Sequence, residues 1–179
     1  MHKKMLALSG LCRAAGDPPD ARRAVGRAQC NDAYWHGVFG GLYLPHLRDG
    51  IWRELARAEA LLRAGEGLAW ELRDLDADGH EELWLHDATF SAILSPARGG
   101  VIEEYTVFEY GLNYANTLTR VREGYHEAPA GLEPRVSHHD AGGGPSIHDL
   151  DEQMRQNELP PLDPEPRTLA VSFAFPSGE

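Results

Sequence analysis

At about Leu68 the spacing of apolar residues along the chain changes from every three or four positions to every second position. An α-helix repeats each 3.6 residues and a strand each two, so no single regular element can run through that point. The chain must therefore place its helices first and its strands second. That segregation makes it an α+β protein, with no helix between strands to carry a parallel crossover.

Upstream of the change, Met5, Leu8 and Leu11, with Leu6 and Cys12, form a short apolar stripe that Gly16 and the pair Pro18-Pro19 terminate. Asp17 is placed to cap a second helix with proline in its first turn. In that helix Ala21, Ala24, Val25 and Ala28 recur at i, i+3, i+4 and i+7. Pro45 opens a third, whose stripe runs Leu44, Leu47, Ile51, Leu55, Ala58 and Leu62 before Gly65 ends it. The expectation is a three-helix region over 1–66, apolar on one face of each helix and so packed on something else.

Downstream, AWELRDL, the turn Asp76-Ala77-Asp78-Gly79 and ELWLHD read as a hairpin, followed by FSAILS and GGVIEEYTVF. Strands at such short intervals predict an antiparallel meander, the first part of a β-sandwich occupying 67–179. The signal fades after Tyr110. Residues 129–166 carry Gly142-Gly143-Gly144 and most of the prolines, and are expected to form a long loop. The last strand, LAVSFAF, alternates cleanly and is expected to lie in a sheet.

Composition narrows the partners. Hydrophobic residues make up 42% of the 179, enough to bury a core. With 17 basic against 28 acidic residues the net charge is −11, which repels a phosphate backbone, so nucleic acid is not an expected partner. No stretch approaches the roughly 20 apolar residues that cross a bilayer, so a membrane is not expected either. The opening MHKKMLALSG mimics a secretory leader, but Ser9 and Gly10 break its apolar run, and it is read as a helix. Cys12 and Cys30 are too few for a disulfide framework and are both read as helical, where a buried thiol acts as a small hydrophobe. A cytoplasmic location and no cofactor are the expectations.

Continued forward, the apolar face of the second helix, Val25 and Ala28, runs into Asp32, Trp35, His36 and Phe39 at the same spacing. That reading puts an acid on a buried stripe, where it must be paired or point into a polar cleft. An acid and an imidazole beside an indole suit a sugar, whose flat face stacks on the ring while its hydroxyls are hydrogen-bonded. Gly37, Gly40 and Gly41 would let a ligand or backbone come close. Spacing alone favours the plainer reading, a core tryptophan with Asp32 as an internal cap and His36 hydrogen-bonded nearby.

The string Asn31 to Arg48, NDAYWHGVFGGLYLPHLR, followed by RAEALL, resembles the last characteristic stretch of glycoside hydrolase family 57, in its 4-α-glucanotransferase and α-amylase branch. MHKKML at the start, then DLDADGHEELWL, the Gly99 to Glu104 run, NTLTRVREGYHE and SIHD resemble later parts of the same family in order. The resemblance implies a helical region closing over an active-site cleft, then entry into a C-terminal β-sandwich. It also implies that Asp32 and Trp35, with His36 beside them, contact an α-1,4-glucan or malto-oligosaccharide. Binding is their implied role. The family's nucleophile and acid/base are carboxylates about 5 Å apart in retaining enzymes; they come from a barrel that this sequence does not contain and that another segment would supply in cis or in trans. Arg120-Val121-Arg122 departs from the two adjacent basic residues usual before Glu-x-Tyr-His, and beyond Ala128 the likeness mostly lapses. The rival expectation is a non-catalytic carbohydrate-binding or protein-interaction sandwich; a third is a truncated product without function.

Weaker signals read as structure. Asp74, Asp76 and Asp78 before Gly79 resemble the first half of a calcium loop, but Leu85 stands where an EF-hand needs a bidentate Glu, so a plain acidic turn is expected. His138, His139, Asp140, His148 and Asp149 match no metal-ligand spacing. Glu103, Glu104 and Glu109 are read as surface charges, since strand neighbours point to opposite faces. The chain by itself is expected to show no glucan hydrolysis or transfer, which reducing-sugar release and oligosaccharide redistribution assays on the purified protein check; measurable turnover would refute the assignment.

Overall fold

The computed structural model describes residues 1–35, 40–122 and 161–170. Three α-helices, α1 (His2–Ala14), α2 (Pro19–Arg27) and α3 (Pro45–Leu62), precede five strands: β1 (Ala69–Arg73), β2 (Glu82–His86), β3 (Phe90–Ser95), β4 (Val101–Val107) and β5 (Leu112–Asn113). The strands form one antiparallel sheet in the order β1-β2-β3-β4-β5. The α+β arrangement and the change of period near Leu68 are therefore as expected. The two-residue β5, after the point where the alternation fades, is an addition. It pairs Thr106 with Asn113 and Val107 with Leu112.

The helices and the sheet belong to one compact unit, Met1–Thr117 with the segment from Thr168; Leu118–Arg167 forms a second. In the first unit Leu169 bridges Ile102 on β4, the beginning of the expected last strand, whose remainder lies outside the described residues. In the second, the Asp163 carboxylate accepts the Arg120 N–H at 2.7 Å and pairs with the Arg167 guanidinium at 2.8 Å. Residues 123–160, with most of the expected loop, the histidine cluster and SIHD, lie outside the described residues. The second layer of a sandwich is not among the described strands.

The apolar core joins both element types. Met5, Leu8 and Cys12 of α1, Ala21, Ala24 and Val25 of α2, and Ile51, Trp52 and Leu55 of α3 pack with Trp84 and Ile93 of the sheet. Leu6, included in the expected α1 stripe, is half exposed. Asp17 does not cap α2: it adopts a left-handed conformation at φ 55°, its N–H bonds to the Cys12 carbonyl, and Pro18 takes the cap position with no side-chain bond. Cys30 is exposed and lies beyond α2.

Between the helices and the sheet lies a buried ionic network. The Lys4 ammonium sits 2.8 Å from Glu59 Oε2 of α3 and 3.0 Å from Glu104 Oε1 of β4, donates to Ser91 Oγ of β3 at 3.0 Å, and stands 4.3 Å from the centroid of the Trp84 ring. Trp84 Nε1 donates to the same Ser91 oxygen at 2.7 Å, and the Thr106 hydroxyl to Glu104 at 2.9 Å. Arg63, just beyond α3, adds a second cation 4.9 Å from the Trp84 ring and pairs with Glu66 and Glu71 at 3.3 Å. Glu104 is thus no surface charge. The register explains its position: Trp84, Ile93 and Glu104 are cross-strand partners, so all three side chains share the face that meets the helices.

Burial pushes the Glu104 carboxyl above its usual range, and Lys4 only partly opposes this. A carboxyl that holds its proton more tightly in the folded state makes stability fall as pH rises through the window above its ordinary value. Removing Lys4 would leave two carboxylates sharing a dry site. Lys4→Met should therefore cost about 3–5 kcal/mol at pH 8 and distinctly less at pH 5, where the proton replaces the lost cation. Urea unfolding at the two pH values checks this; an equal deficit at both contradicts it.

Candidate functional site

After α2 the chain does not continue as a helix. It turns at Ala28, and Asn31–Tyr34 forms a single 3-10 turn, after which Trp35 is extended at φ −144° and ψ 171°. The expectation that Asp32 lies on the buried stripe of α2 is thereby overturned. Ala33 is the buried residue and Asp32 is exposed. The physical reason is the cost of desolvating an unpaired carboxylate, together with the weak helix propensity of Gly26, Asn31 and Asp32, which leaves little to hold the helix beyond Arg27.

Tyr34 anchors the turn. Its hydroxyl donates to the Ala28 carbonyl at 2.6 Å, its ring meets that of His2 edge-on at 6.0 Å, and burial pushes its pKa up to about 12. With Ala33 and Tyr34 directed inward, Asp32 is left to solvent and Trp35 is 41% exposed. Asp32, within the 3-10 turn, and Trp35, just after it, are thus each exposed. His36 lies outside the described residues.

Residues 40–44, which lead into α3, are held by specific contacts. The Leu42 N–H donates to the Trp35 carbonyl at 2.8 Å, closing the loop, and Gly41–Tyr43 forms another 3-10 turn. Gly40 takes φ 103°, a conformation for glycine alone, and a Cβ there would stand 3.0 Å from Leu44 Cγ. From α3 the Arg48 guanidinium reaches back: Nη1 donates to the Leu42 carbonyl at 2.6 Å and Nε to Asn116 Oδ1 at 3.1 Å. Asn116, beyond β5, donates in turn to Asp49 at 2.6 Å. Sequence reasoning missed Arg48 and Asn116. A trace was present, since Arg48 falls between Leu44, Leu47 and Ile51 on the apolar side of α3, where a charge needs a reason.

Chemically, an exposed carboxylate next to an exposed indole can hold a neutral polyhydroxylated ring, by hydrogen bonds on its edge and stacking on its face. No carboxylate pair able to cleave a bond accompanies them among the described residues: Glu59 and Glu104 face each other across Lys4, but both are buried and the ammonium fills the gap. An open depression of about 380 Å³, lined by Arg53, Arg57, Phe108 and Tyr110 among others, lies where α3 meets the turn after β4 and includes neither Asp32 nor Trp35.

The carboxylates of Asp74, Asp76 and Asp78 converge within 4.8 Å, all three exposed. They accept backbone N–H groups of their own turn, from Asp78, Gly79 and His80 at 2.8–3.2 Å. On that basis thermal unfolding should be unchanged by calcium or chelator; a rise of several degrees with calcium would show that the trio holds the ion.

Known proteins share this organisation. The profile of the alpha-amylase/4-alpha-glucanotransferase middle domain matches residues 1–62, and that of the C-terminal domain matches residues 74–166. A 4-alpha-glucanotransferase of Thermococcus kodakarensis is 41% identical over 154 residues, 86% of this chain and 22% of that protein. An alpha-amylase of Pyrococcus abyssi is 42% identical over 157 residues, 88% of this chain and 23% of that protein. The crystal structure of 4-alpha-glucanotransferase from Thermococcus litoralis superimposes with a TM-score of 0.61 at 41% identity, over 70% of this chain and 19% of the other. The chain thus spans under a quarter of the length of these relatives, at a level of identity that shows common descent along both the helical and the strand regions: it belongs to the alpha-amylase/4-alpha-glucanotransferase family.

Proposed function

We propose that this chain is the glucan-holding part of an α-glucan-acting enzyme of glycoside hydrolase family 57, an α-amylase or 4-α-glucanotransferase working in the cytoplasm. Trp35 stacks on a sugar ring of an α-1,4-glucan or malto-oligosaccharide, and Asp32 and His36 hydrogen-bond its hydroxyls. The observation that carries the reading is the exposure of Trp35: a large indole 41% exposed, three positions after the exposed Asp32, with its carbonyl bonded by the Leu42 N–H, within the stretch that matches the family's middle domain. A large exposed aromatic side chain serves contact with a ligand better than it serves packing.

The nucleophile and the acid/base belong to a barrel segment supplied in cis or in trans, acting through a covalent glycosyl intermediate. Residues 67–179 form part of a β-sandwich. Its support is the outer face of the sheet, where Trp70, Leu72, Tyr105, Leu112 and Tyr114 are exposed, as expected of a surface on which a second sheet packs.

The same face favours a second reading, a carbohydrate-binding sandwich module independent of Trp35, because Tyr105 and Tyr114 lie 5.9 Å apart with their rings tilted by 37° and offer an aromatic platform. Calorimetric titration of the chain with maltoheptaose separates the two. The cleft reading expects Trp35→Ala to weaken binding about tenfold or more and Trp70→Ala to leave it unchanged; the opposite pattern establishes the module.

A further inference from the structure

We infer that Arg48 is the positioning residue of this site, holding Trp35 in place through the backbone of Leu42; the inference rests on the glucan-holding role proposed for Trp35. Arg48 is only 8% exposed, and among the described residues it has no carboxylate partner, although the chain as a whole carries a net charge of −11. A guanidinium buried without a counter-ion is retained only where its donors are used in a fixed geometry.

Here they are used on the loop. One arm donates to the Leu42 carbonyl at 2.6 Å, while the N–H of the same residue donates to the Trp35 carbonyl at 2.8 Å. Leu42 is therefore gripped on both sides, by α3 through its carbonyl and by Trp35 through its amide. The Nε bond to Asn116, and the bond from Asn116 to Asp49, tie the same guanidinium to the segment after β5. Leu42, and through it the Trp35 carbonyl, is thus linked to the end of the sheet.

Arg48 touches no sugar in this scheme; its effect on binding passes through Trp35. The test uses the whole chain. The Trp35 indole N–H resonance, identified by its loss in Trp35→Phe, should move or broaden in Arg48→Met while that of Trp84 stays in place. Maltoheptaose affinity should fall about tenfold in Arg48→Met, and the same change made on top of Trp35→Ala should cause no further loss. Arg48→Lys keeps the charge but cannot span both acceptors, so it should recover only part of the affinity; it also serves if the Met variant fails to fold.

A Trp35 resonance unmoved in a folded Arg48 variant, or an affinity loss that persists undiminished in the Trp35→Ala background, overturns the inference. If Trp35→Ala leaves binding intact, the glucan role fails instead, and the resonance alone decides whether Arg48 positions the indole.

Discussion

A lysine ammonium buried between two carboxylates and an indole ring is the contact on which the first unit of this protein depends. Lys4 comes from α1, Glu59 from α3, Glu104 from β4, Ser91 from β3 and Trp84 from β2, so one charged atom ties its own helix to four other elements. Burying these charges carries a desolvation cost of several kcal/mol per ion, offset only if all of them meet. The contact is thus poor at adding stability and good at choosing one arrangement. Slip the sheet register by one residue and Glu104 turns to the other face, leaving Lys4 and Glu59 without it.

That choice reaches the candidate site. Once α3 is seated against the sheet, Arg48 meets Asn116 and the Leu42 carbonyl, and Leu42 in turn bonds the Trp35 carbonyl. A helical segment alone could not offer this support, because Asn116 follows the last strand. The bonds from Arg48 to Leu42 and Asn116 therefore join the middle and C-terminal family regions, although Asp32 and Trp35 sit only in the first.

The sheet is unusual in how its two faces are used. Toward the helices it directs Glu82, His86, Ser91, Glu104 and Thr106, all buried, alongside Trp84 and Ile93. Burial and the neighbouring Arg63 push the His86 pKa down, so the ring is neutral between its carboxylate neighbours. The more apolar set, including Trp70, Leu72, Leu112 and Tyr114, points the other way and stays exposed. A sheet with a buried polar face and an open apolar face is suited to a second layer on its outer side.

Much of the fold was legible in local pattern. The 3.6-to-2 change of period located the boundary between helices and strands, proline and glycine marked the helix ends, and the hairpins followed from alternation and turn residues, because these depend on neighbours a few positions apart. The candidate residues were legible as a family signature, and Asp32 and Trp35 are each exposed. Their setting was not: periodicity extended α2 through them, whereas the chain leaves the helix and turns, because a buried Asp32 would have had no partner. What only the tertiary structure decided is every feature that rests on distant charges meeting. Glu104 reads as a surface charge until the sheet register and the helix packing bring it within 3.0 Å of Lys4, and Arg48 gains its role only when Asn116 arrives from 68 positions away. Sequence periodicity reports the average environment of a face; it carries no information on which single polar atom will find its partner across the core.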